Sequence, residues 1–126
     1  MINFSEEKVL LLHKLMTEET GGDPNIRDIG LLESALNSAY QTFDGKELFP
    51  TKEEKAAKLA YSLISNHAFV DGNKRIGMYV MLTFLDVNGI HITTTDEEII
   101  RIGLGVAAGN VSYNEILRWI IKNEKD

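Results

Sequence analysis

His67-Ala68-Phe69-Val70-Asp71-Gly72-Asn73-Lys74-Arg75 separates two long apolar-periodic runs, and its reading decides both the fold and the chemistry of the chain. The run before it opens at Thr51-Lys52-Glu53-Glu54, a capping box in which threonine and the glutamate three positions on satisfy free amides at a helix start. Ala56, Leu59, Ala60, Leu63 and Ile64 then recur at helical spacing up to a stop near Asn66. The run after it begins around Asn73 to Arg75 and continues through Ile76, Met78, Val80, Leu82 and Leu85. It ends at Asn88-Gly89, with a glycine suited to a left-handed C-terminal residue. The quoted stretch is therefore a loop between two central helices.

That loop carries an unusual set of groups. Asp71-Gly72-Asn73 is turn chemistry, with glycine free to adopt positive φ. A helix starts directly behind it, so its first amides point unpaired into the loop and form a concave anion site. Lys74 and Arg75 add two cations at the rim, and arginine can hold phosphate oxygens through two parallel hydrogen bonds. Asp71 offers a hard oxygen ligand, and magnesium needs only one or two carboxylates when nucleotide phosphates supply the rest. His67 ends the preceding helix, and an imidazole of ordinary pKa, ~6.5, accepts a proton from a hydroxyl at neutral pH. Base, metal carboxylate, phosphate cradle and arginine clamp are the parts that phosphoryl-type transfer needs, because its catalysis is mostly positioning and charge stabilisation.

Outward from the loop the chain reads as helical throughout. Ser5-Glu6-Glu7 places a cap and two acids at a helix start, and Val9, Leu12, Leu15 and Met16 follow up to a stop at Gly21-Gly22-Asp23-Pro24. Leu31, Leu32, Ala35, Leu36 and Ala39 predict a second, short helix, and 40–50 reads as a loop or a short hairpin. Thr95…Glu98 and Ser112…Glu115 are read as two further capping boxes, each opening an apolar helical stretch. Trp119 with Ile116, Leu117, Ile120 and Ile121 looks like a core-facing terminal helix. The expectation is an all-α chain of about six helices, one domain over 1–126, with little strand beyond Ile90 to Thr93.

The composition narrows the function classes. At 126 residues the chain is long enough for one core without staples, and with no cysteine it has neither disulfides nor thiolate metal sites. Its formal net charge of −6 repels phosphate backbones, so direct nucleic-acid binding is not expected. No run approaches the ~18 apolar residues of a membrane span, and the charged start is no signal peptide, so a cytoplasmic protein without membrane contact is expected. His13 and His91 lack a ligand-type neighbour at suitable spacing and are read as structural or exposed. Gly103-Leu104-Gly105 through Gly109 is spaced wrongly for a dinucleotide loop and is read as a close-packing helix surface. Arg27 and Asp28 suit a salt bridge and helix cap, or the shaping of a groove for a partner.

The loop resembles the Fic motif, H-x-F-x-[DE]-G-N-[GK]-R, with every specified position filled by residues 67–75. The length and the Arg27-to-Leu36 segment also resemble the death-on-curing branch of that superfamily. The resemblance implies a Fic-type helical domain with His67 as general base and Asp71 as the Mg2+ ligand. Gly72 and Asn73 would line the anion hole, Arg75 would hold phosphate, and Phe69 would anchor the loop in the core. Where the larger family has glycine and transfers AMP, this chain has Lys74, which fills space and adds charge. Death-on-curing toxins with that lysine bind ATP reversed and transfer its γ-phosphate to elongation factor Tu, arresting translation. The internal inhibitory pattern [ST]-x-x-x-E-[GN] is missing, since Thr93…Glu97 and Thr94…Glu98 are followed by neither Gly nor Asn. Inhibition is then expected from a cognate antitoxin protein that orders on a groove of the toxin. AMP transfer by the same residues, and a catalytically silent partner-binding module, are the alternatives.

Overall fold

The computed structural model describes residues 1–125. Six helices follow one another: α1 (Glu6–Thr20), α2 (Ile29–Ser38), α3 (Lys52–Asn66), α4 (Asn73–Val87), α5 (Asp96–Ala107) and α6 (Tyr113–Asn123). The only paired strands among the described residues are β1 (Thr42–Phe43) and β2 (Lys46–Glu47), an antiparallel hairpin between α2 and α3 that turns at Asp44 and Gly45. The all-α expectation holds, and the loop of 67–75 lies between the two central helices.

The caps explain most of the helix starts. The side chains of Ser5, Asp28, Thr51, Thr95 and Ser112 each accept an amide three residues on, and Thr51 and Ser112 complete reciprocal boxes with Glu54 and Glu115. Thr95 does not complete one. Glu98 instead holds Arg101 at 2.9 Å and the indole of Trp119 at 3.1 Å, because a buried indole N–H needs an acceptor. The Ile90–Thr93 strand reduces to a single bridge between Ile92 and Glu124.

Helix α3 is the axis of the bundle, touching α2, α4, α5 and α6. Its Ala56, Leu59, Ala60, Leu63 and Ile64 are buried, facing Ile76, Met78, Val80, Met81 and Phe84 of α4. Gly77 makes the close approach possible: a Cβ there would lie 2.6 Å from Ile64 and 3.2 Å from the Ala60 carbonyl. Gly103 of α5 lies in ordinary contact with Met78 and Lys74, and Gly105 packs closely on Val111, whereas Gly109 has open space around it. Ile116, Trp119 and Ile120 bury α6 on α3, whereas Ile121 is exposed. Lys55 is buried on α3 and ties the hairpin down through Glu47 and the Phe49 carbonyl. Tyr113, half-buried at the start of α6 beside Glu54, has its phenol pushed up to about 12 by burial and by that carboxylate.

Candidate functional site

His67 terminates α3 in the left-handed region, at φ 52 and ψ 50, a conformation that L side chains adopt at a cost. Its side chain is exposed. The segment before α2 braces it from outside: Arg27 donates from Nε to the His67 carbonyl at 2.7 Å and from its terminal nitrogen to the Asn66 carbonyl at 3.2 Å. The Arg27 and Asp28 amides both donate to the Ala68 carbonyl, and the Val70 amide donates to the Asn25 carbonyl. Residues 25–28 therefore run as an antiparallel strap along the loop, with Ile26 opposite Phe69. Asp28 does cap α2, as read, while Arg27 grips carbonyls rather than its neighbour.

Inside the loop, Phe69 is buried and stacks on the ring of His13 at 3.7 Å between centroids. His13, itself buried in α1, donates from Nε2 to the Asp71 carbonyl at 2.7 Å. Nothing local reveals that partner, which lies 58 positions away. The Asn73 side chain has a structural part. It is buried, and its amide group accepts from the Phe69 N–H at 3.0 Å and donates to the Phe69 carbonyl at 2.9 Å. The side chain of Asn73 is thus spent on closing the loop, and only its backbone N–H, at the first position of α4, is left for an anion.

Gly72 turns the chain into α4 at φ 79, where a Cβ would also meet Met16 at 2.5 Å. Of the six helices, α4 is the one whose N-terminus has no side-chain cap. Its first amides and positive dipole end therefore have no side-chain acceptor of their own, a place where an anion is stabilised. A cavity of about 740 Å³ opens there, between the end of α1, the start of α4 and the face of α5. Asp71, Gly72, Lys74 and Arg75 line it; His67 and Asn73 do not. Met16, Ile99, Ile100 and Leu104 form its apolar wall, and the volume is that of a small-molecule pocket. Among the described residues neither Lys74 nor Arg75 is paired with a carboxylate, so both cations stay available to an anion.

The donor set also decides what metal chemistry fits. One oxygen of Asp71 accepts the Gly72 amide at 2.8 Å, and the other points at Gly22, where a Cβ would approach it to 2.7 Å. No group of three His, Cys, Asp or Glu suited to a metal occurs among the described residues. Two carboxylates, Asp71 and Asp96, line the cavity, too few to hold a metal alone, so the set would fit an ion that arrives with phosphate oxygens of its own, as magnesium does.

The sequence profile of the Fic/DOC family matches residues 3–85, a span that includes the strap, His13 and the whole loop. The chain belongs to the Fic/Doc family. Within it, the chain is similar to the Toxin Doc of Mycolicibacterium smegmatis (strain ATCC 700084 / mc(2)155), 43% identical over 72 residues that cover 57% of this chain and 55% of that protein. It is also similar to the Protein kinase doc of Escherichia phage P1, 27% identical over 116 residues that cover 92% of this chain and 90% of the phage protein. The match thus spans about half the length of the mycobacterial protein and nearly all of the phage one. The Fic/Doc motif residues fall into three sets here: Asp71, Gly72, Lys74 and Arg75 on the cavity wall, Phe69 and Asn73 buried inside the loop, and His67 exposed outside both.

Proposed function

We propose that this chain is the toxin of a toxin–antitoxin pair, a protein kinase that transfers the γ-phosphate of ATP to a hydroxyl of elongation factor Tu and so arrests translation in the cytoplasm. The observation that carries the reading is the uncapped α4 N-terminus opening on a cavity walled by Asp71, Lys74 and Arg75. The names of the two relatives, a toxin and a protein kinase, support it. Lys74 supports phosphate over AMP transfer, because it occupies the space that glycine would leave for close approach of a nucleotide.

In this reading the free amides of α4 and the guanidinium of Arg75 hold phosphate oxygens, and Lys74 adds a point charge at the rim. Asp71 holds Mg2+, which when bound neutralises charge on the transferred group. His67 accepts the proton of the target hydroxyl as that oxygen bonds to the γ-phosphorus and the bond to ADP breaks. The exposure of His67, outside the cavity lining, suits a base that meets a protein substrate from the solvent side. A separate antitoxin would hold the enzyme in check, since no internal inhibitory segment is recognisable. No helix among the described residues is long and apolar enough to cross a membrane.

The test is incubation with Mg2+, elongation factor Tu and ATP labelled at the γ- or the α-phosphate, with His67→Ala as control. Label from γ alone, absent with His67→Ala, is expected. Label from α would replace the kinase reading with AMP transfer. No label from either, in folded protein that binds its antitoxin, would remove both for this target.

A further inference from the structure

The structure assigns Arg27 the part of a positioning residue that aims the His67 imidazole, an inference that rests on the proposed role of His67 as base. The argument begins with what α3 lacks. Its last turn contains no basic residue, so its terminal carbonyls and negative dipole end have no cation of their own. Arg27 supplies one from the strap. Its side chain binds the carbonyls of Asn66 and His67, and its own amide binds that of Ala68 at 2.7 Å.

Those carbonyls matter because of where they sit. The Asn66 carbonyl belongs to the peptide plane before the His67 α-carbon, and the His67 carbonyl belongs to the plane after it. Holding both planes fixes φ and ψ of His67, and with them the direction in which its Cβ leaves the backbone. The left-handed value at His67 is unfavourable for a residue with a Cβ, so it persists only where the surroundings impose it. A planar guanidinium with diverging N–H groups can reach two successive carbonyls at once, and an ammonium group cannot match that fork. Arg27 is exposed and lies outside the cavity lining, so its effect is on His67 rather than on the nucleotide.

The experiment uses the full chain with Arg27→Ala and Arg27→Lys. The backbone bonds of the strap survive both changes, so the melting temperature should stay within a few degrees of wild type. In the γ-phosphate assay, kcat should fall roughly 30- to 100-fold in Arg27→Ala while KM for ATP holds, the scale of a displaced catalytic group. Arg27→Lys should recover part of the loss. Wild-type kcat in folded Arg27→Ala overturns the inference. Should Arg27→Ala not fold, Arg27→Lys decides alike: a tenfold loss supports the inference, and full activity overturns it. If the wild-type chain transfers no label, the kinase reading fails, and NMR of isotope-labelled protein decides the positioning separately. The left-handed Cα and Cβ shifts of His67 should then be lost in Arg27→Ala, and their persistence overturns it.

Discussion

Replacing Asn73 separates a structural bolt from a phosphate ligand, because the two roles predict opposite signatures. The carboxamide of Asn73 is buried and satisfies both the N–H and the carbonyl of Phe69. Asn73→Ala would leave two buried backbone groups without those partners, at about 1–3 kcal/mol each, less whatever relaxation recovers. A net loss of about 2–4 kcal/mol is expected. For a chain of 126 residues, unfolding entropy converts 1 kcal/mol into about 4 °C, so the melting temperature should fall by about 8–15 °C. Asn73→Asp sharpens the test. Its carboxylate would still accept from the Phe69 N–H but would set a second oxygen against the Phe69 carbonyl, so only the protonated form could restore both bonds. The carboxyl pKa would rise on folding. The stability it contributes would be full below the unfolded value of ~3.9 and would fade as pH rises through the folded value. Melting curves at pH 4.5 and 7.5 should therefore show Asn73→Asp less destabilised, relative to wild type, at the lower pH. An Asn73→Ala chain that melts within 3 °C of wild type but binds ATP tenfold more weakly would refute this reasoning and return the Asn73 side chain to the anion site.

Three further expectations are open to direct measurement. Gly22→Ala would put a Cβ 2.7 Å from the Asp71 carboxylate, a flexible group that must swing away, so Mg2+-dependent ATP binding should weaken about tenfold with melting unchanged. Calorimetric titration with and without Mg2+ checks it, and equal affinities in the two chains would contradict it. Gly77→Ala gains about 1 kcal/mol of helix propensity but drives a methyl into Ile64 and the Ala60 carbonyl, at about 1–3 kcal/mol. A fall of up to about 8 °C in melting temperature is expected, and a rise would mean that α3 and α4 can separate at little cost. Tyr113, with its phenol raised to about 12, should ionise after the ordinary tyrosine range in an absorbance titration. Because its folded value exceeds the unfolded ~10, its contribution to stability is complete below pH 10 and lost between pH 10 and 12. Tyr113→Phe should leave less alkaline destabilisation, and an unchanged alkaline transition would count against the shift.

What was legible in the chain was what local physics decides. Thr51 and Ser112 cap by contacts three residues away, so their boxes could be read directly. The Thr95 box fails because the carboxylate of Glu98 is taken by Arg101, three positions on, and by Trp119, 21 positions on. The hairpin over 42–47 was half legible: a turn at Asp44-Gly45 is a local signal, but such short strands carry no period. Within the site, Asp71, Gly72, Lys74 and Arg75 were read as a group and do line one cavity. The structural part of the Asn73 side chain is not legible, because a motif position names a residue type without saying whether its side chain faces a ligand or the backbone behind it. His13, which reads as structural or exposed for want of a sequence neighbour, is structural: it stacks on Phe69 and holds the Asp71 carbonyl, a partner no local signal reveals.

These long-range contacts also explain how so short a loop can be specific. The residues that would do chemistry lie together at 67–75, yet a turn with a left-handed histidine and a left-handed glycine does not hold itself. Its carbonyls are taken in sequence: Asn66, His67 and Ala68 by Arg27, Phe69 by Asn73, and Asp71 by His13. The loop is thus fastened mainly from the first thirty residues. With those carbonyls occupied, the acceptors left on the cavity wall include the carboxylates of Asp71 and Asp96, set across from the two cations Lys74 and Arg75. A chain of net charge −6 thus needs no basic surface overall: two cations without carboxylate partners among the described residues, set beside an uncapped helix start, suffice for one local anion site.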